Sequence, residues 1–178
     1  MKKINFNNQR VSVNFGLTET LPNPFQGLKS PHYKEDELSR LITSFENSTH
    51  KNAAPILNLL QALQRFLQAT TQVIYFKEGR EKAANKNPGD LLSRLNPIGN
   101  AIIKFENVCT HAQQNNDPTY AILLEAKKYC IQSVITQLNV LKQSQDEIFN
   151  VYLKNDNPLK QVLSSQNDPS CGSRGPVV

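Results

Sequence analysis

The stretch DPTYAILLEAKKYCIQSVITQLNVLKQSQDEIFNVYLK, residues 117–154, decides the fold. It opens on Asp117-Pro118, an N-cap acceptor followed by a residue whose φ is preset for helix. Tyr120, Leu124, Ile131, Val134, Leu138, Leu141, Ile148 and Tyr152 then recur on alternating four- and three-residue steps, broken at Lys127 and Gln145. A stripe of that period is one face of an α-helix, and partner helices have to bury it. Run from 118 to 153, such a helix is about 54 Å long and outreaches its neighbours by several turns. Either Ser144 and Glu147, in capping-box spacing, break and restart it, or its last turns overhang.

The same period extends upstream. Leu91, Leu95, Ile98, Ile102, Phe105, Cys109 and Ala112 alternate steps of four and three without a miss, although Pro97 and Gly99 lie among them. Pro97 predicts a kink, or a restart capped by Asn96. The unbroken apolar phase favours one kinked helix or two nearly collinear ones. The polar turn 113–116 is so short that this helix and the next form an antiparallel hairpin. Before it, a helix runs from near Asn52, with Pro55 in its first turn, through Ile56, Leu60, Leu63, Leu67, Thr70 and Ile74 to Gly79. A shorter one, from about residue 34 to 47, carries Leu38, Leu41, Ile42 and Phe45 on one face, with Glu35, Asp36 and Glu37 at its start.

The expected fold is therefore all-α: an antiparallel up-and-down helical bundle over residues 34–154, three long helices plus one short. Residues 1–33 read as an extended N-terminal arm. Ile4 and Phe6, then Val11, Val13 and Phe15, alternate with polar residues well enough for a small hairpin. Phe15, Leu21 or Phe25 is expected to lie on the bundle. Residues 155–178 have the composition of a flexible C-terminal tail, with room for one more turn around Leu159, Val162 and Leu163.

At 178 residues the chain is sized for one domain. Apolar residues at 38% and charged residues at 20% are both low, the balance being Asn and Gln spread along the chain. No run of 18 apolar residues suggests a spanning helix. No apolar h-region follows Lys2 and Lys3, which predicts a cytoplasmic protein or one exported without a cleaved signal peptide. Three cysteines, Cys109, Cys130 and Cys171, are an odd set that reads as free thiols in a reducing compartment. Cys109 fills a core phase of its stripe, and Cys130 should sit roughly 12 Å farther along the hairpin, too far to bridge.

Sites of chemistry are hard to find. Cys109 and His111, two residues apart, point to nearly opposite sides of a helix and cannot form a dyad. His32, His50 and His111 are isolated, and no metal-ligand spacing or phosphate-cradling glycine loop occurs, so neither metal nor cofactor is expected. The densest basic region, 77–94, sets Lys77, Arg80, Lys82, Lys86 and Arg94 against Glu78, Glu81 and Asp90, without interleaved aromatics. That makes nucleic acid an unlikely partner.

What remains is a non-enzymatic protein-protein interaction module, a helical adaptor or scaffold. Its contact residues are expected on the overhang of the last helix, at Ile148, Phe149, Val151 and Tyr152, facing another protein or a second copy of the chain. A bacterial effector or secretion-associated factor is the alternative. An enzyme with dispersed catalytic residues ranks third and nucleic-acid binding through 77–94 fourth.

Overall fold

The computed structural model describes residues 20–26, 28, 35–77, 95–144 and 157–166. Among these the chain is all-α, with no strand. Five helices are described: α1 (Glu35–Glu46), α2 (Ala53–Lys77), α3 (Asn96–Gln114), α4 (Tyr120–Ser144) and α5 (Pro158–Gln166). None is long and apolar enough to cross a membrane.

Helix α2 is central and packs against α1, α3 and α4. Ile56, Leu60, Leu63 and Leu67, four residues of one helical face, are all 0% exposed. Ile74, expected to extend that face, has a side chain outside the described set. Helix α1 buries Leu38, Leu41, Ile42 and Phe45, and α3 buries Ile98, Ile102, Phe105, Cys109 and Ala112, with Leu95 buried just before it, as their periods predict.

Two side-chain hydrogen bonds fix α2 against α4. Asn52 Nδ2 donates to Thr119 Oγ1 at 2.7 Å, and Gln137 Nε2 donates to Thr70 Oγ1 at 2.9 Å. Each joins residues 67 apart in sequence, so α2 and α4 run in the same direction with their ends level. Thr70, fully buried, also donates to the carbonyls of Phe66 and Leu67, so its hydroxyl is satisfied in the core.

The α3–α4 connection is built by local chemistry. Asn116 takes φ 50, a left-handed conformation that Asn tolerates. Asp117 N–H then bonds Ala112 O at 2.9 Å and Asn116 N–H bonds Gln113 O at 3.1 Å, the paired bonds of a Schellman stop. Asp117 starts the next helix: its Oδ1 accepts from Thr119 N–H at 2.9 Å, and its carbonyl accepts from Tyr120 N–H at 3.0 Å.

Three expectations need correcting. The stripe read along α4 is out of phase in its first half. Leu124 is 39% exposed while Leu123 and Ala126 are fully buried, and Tyr129, Cys130 and Ile131 are buried in succession. Three consecutive residues cover more than half the circumference of a helix. The reason is that α4 is enclosed from several sides: by α2, by α3, and by Phe25, whose ring lies 5.8 Å from those of both Tyr129 and Phe45. The break at Lys127 is a cross-helix ion pair with Glu106 of α3. Of the N-terminal arm, then, Phe25 is core, with Leu21 and Leu28 packed beside it; Phe15 and the hairpin expected within 1–19 lie outside the described residues.

Second, α3 begins at Asn96 with Pro97 in its first turn, the restart that Pro97 allows, but without the Asn96 cap expected of it. Its N-cap position falls on Leu95, which is buried and makes no side-chain cap. Asn96 does not cap either; its Oδ1 is buried without a hydrogen-bond partner. Residues 91–94 lie outside the described set.

Third, in the tail 155–178, expected to be flexible with room for one more turn around Leu159, Val162 and Leu163, residues 158–166 form a nine-residue helix, α5. Asn157 Oδ1 accepts from Lys160 N–H at 2.8 Å and Pro158 opens the helix, while Leu159 and Val162 are buried against α3. Gly99 permits the contact. A Cβ there would lie 2.5 Å from Leu159 N and 2.7 Å from Pro158 C, so the two backbones touch where only hydrogen fits.

Candidate functional site

The overhang residues Ile148, Phe149, Val151 and Tyr152 lie outside the described residues, as do Arg80, Lys82, Lys86 and Arg94 of the basic region.

Cys109 is 3% exposed and its thiol is pushed up to about 11, mainly by burial, with Glu106 adding and the Lys127 ammonium opposing. His111 is on the exposed side of α3, next to Asn115. The two therefore share no site. Cys130 is fully enclosed and burial raises its thiol as well; both are free thiols held neutral and away from solvent. Burial likewise raises the Tyr129 phenol, with Glu37 as a further cause; its hydroxyl donates to Glu37 Oε1 at 3.4 Å and ties α4 to α1.

The densest polar cluster joins the starts of α2 and α4. Lys51 Nζ lies 2.8 Å from Asp117 Oδ2, to which Asn52 Nδ2 also donates at 3.3 Å, and Thr119 Oγ1 donates to Oδ1 at 2.6 Å. The Lys51 ammonium first, then the Thr119 hydroxyl and N–H, hold this carboxyl well below the usual carboxylate range. Every group in it has a partner within the cluster, so it reads as a helix cap. Among the described residues no group of three His, Cys, Asp or Glu side chains could hold a metal.

Among the described residues, an open groove of about 590 Å³ lies between α2 and α3. Pro55, Asn58 and Leu59 form one wall; Pro97, Asn100, Ala101, Lys104, Phe105 and Val108 form the other. Leu59 and Phe105 are its buried floor, and Asn58, Asn100 and Lys104 are exposed on its rim. An apolar floor beneath a few polar groups is the usual composition of a binding cleft. No carboxylate, thiol or imidazole lines it. It offers desolvation and hydrogen bonding, and no acid, base or nucleophile beyond one ammonium.

Reading the apolar stripes alone misses this groove. Its signal lies beside them: Asn58 follows the core phase of α2, and Asn100, Ala101 and Lys104 flank that of α3. A small residue between two amides leaves the furrow that larger side chains would fill. We find no protein-family model, no curated protein and no solved structure that matches this chain.

Proposed function

We propose that this chain is a non-enzymatic interaction module, an antiparallel up-and-down bundle that holds a segment of another protein on its helical surface. The observation that carries the reading is the α2–α3 groove, which combines an apolar floor with an amide-rich rim and lacks paired acid–base groups. An open furrow of this kind suits an elongated segment with side-chain anchors more than an enclosed small molecule. The bundle topology supplies its rigidity. Glu106 and Lys127, which pair across α3 and α4, lie at similar distances on either side of the 115–119 connection, as an antiparallel hairpin requires. The expected contacts at Ile148, Phe149, Val151 and Tyr152 remain part of the proposal as a second docking edge.

Photocrosslinking tests this. A benzophenone side chain replaces Asn100 on the groove rim, or Gln132 on the exposed side of α4, in the full chain. Expected is an adduct of discrete mass from position 100 in cell extract and none from 132. Equal labelling from both positions, or none from 100, refutes the groove. An adduct that vanishes only on Phe149→Asp and Tyr152→Asp moves the docking site to the distal segment.

A further inference from the structure

The charges around the groove are one-sided. Helix α2 contains no Asp or Glu among its 25 residues. Helix α3 contains one, Glu106, and the Lys127 ion pair neutralises it. Against that stand Lys104, on the rim four residues from Asn100, and Arg65, exposed and seven residues from Asn58 on the same face of α2. Among the described residues neither cation pairs with a carboxylate. A ligand entering the groove therefore meets the Lys104 ammonium on the α3 wall, Arg65 farther along α2, and amide N–H donors at Asn58 and Asn100.

We infer that the groove binds an acidic peptide segment of another protein, anchored by an apolar side chain over Leu59 and Phe105. This rests on the docking reading above and names the partner's chemistry. Carboxylates of the segment face Lys104 and Arg65, and the rim amides pair with its backbone or its carboxylates. Nucleic acid would use the same cations, but sequence-tolerant base binding needs exposed aromatic faces to stack on. The one aromatic ring of the groove, Phe105, is 3% exposed and forms the floor.

The test is a displayed random-peptide library panned against the full chain, with selected peptides measured by fluorescence anisotropy. Expected is enrichment of peptides carrying Asp or Glu beside an apolar residue. Their binding should be lost in Ala101→Arg, which fills the furrow, weakened in Lys104→Glu, and reduced by added salt. A peptide whose acids are changed to Lys should recover affinity for Lys104→Glu. Asn58→Arg, at an exposed position, blocks the opposite wall and serves if Ala101→Arg melts at a lower temperature. Peptides lost on filling the furrow but without acidic bias, and indifferent to Lys104→Glu, overturn the acidic class and leave the groove standing. Peptides indifferent to both filling variants overturn the groove itself. A labelled random single-stranded oligonucleotide that outcompetes the peptides in a Lys104-dependent manner overturns the inference in favour of nucleic acid.

Discussion

Replacing Gly99 by Ala isolates the contact between α3 and α5. In an ordinary exposed helix this change is favourable by about 0.5–1 kcal/mol, because Gly loses more backbone freedom on folding. Here the added methyl would lie 2.5–2.9 Å from three backbone atoms of Pro158 and Leu159, which have no rotamer by which to yield. The two helices must separate, and the loss is limited to what docking α5 contributes. Leu159 at 0% and Val162 at 7% exposure are its main buried side chains. At about 1.5–3 kcal/mol for each, their gross contribution is about 3–6 kcal/mol. Ordering nine residues, too few for a stable isolated helix, offsets much of that. A net destabilisation of about 1–3 kcal/mol follows, opposite in sign to the intrinsic preference. Hydrogen exchange followed by mass spectrometry reads it out: amides of 158–166 should lose protection in Gly99→Ala while those of α2 and α4 keep theirs. Asn100→Ala, one residue along and exposed, is the control and should change nothing. A Gly99→Ala protein as stable as the parent, with 158–166 still protected, would show that α5 does not sit on this glycine.

Thr70→Val keeps the shape of the core but takes away the acceptor of Gln137 Nε2; it should destabilise by about 1–3 kcal/mol in urea unfolding. Adding Gln137→Leu should return more than half of that, and additive losses would argue that the two groups are not coupled. The depressed Asp117 carboxyl contributes stability that is present above the unfolded-state value near 4 and lost as pH falls toward the folded value. Melting temperatures measured from neutral pH to about pH 2.5 should therefore fall more steeply for the parent than for Asp117→Asn, and parallel acid limbs would remove the carboxylate from the account. Iodoacetamide at pH 8 should leave Cys109 and Cys130 unmodified until the chain is unfolded, as peptide mapping would show; rapid native alkylation of Cys109 would contradict its burial and a thiol pushed up to about 11.

Periodicity finds α1 and α3 because each presents one apolar face, and α2 because Ile56, Leu60, Leu63 and Leu67 hold one phase of its wider buried surface. It misplaces α4 because a helix enclosed by several neighbours has no single face: Leu123 and Leu124 are equally apolar, and only the position of α2 and α3 decides that the first is buried. Gly99 looks locally like a helix breaker, and its role depends on Leu159, sixty residues away, which no local pattern carries. The groove is illegible for a related reason. It is a space between Asn58 on one helix and Asn100 on another, and a sequence records side chains but not the gaps that folding leaves between them.

The constant separation of 67 residues linking Asn52 to Thr119 and Thr70 to Gln137 works as a vernier. Sliding α4 along α2 by even one residue, about 1.5 Å, puts both marks out of line at once, although the greasy surfaces between them would tolerate the slip. Length changes are therefore confined to where the two scales are not compared. One residue inserted between Thr119 and Gln137 forces one mark or the other to be abandoned.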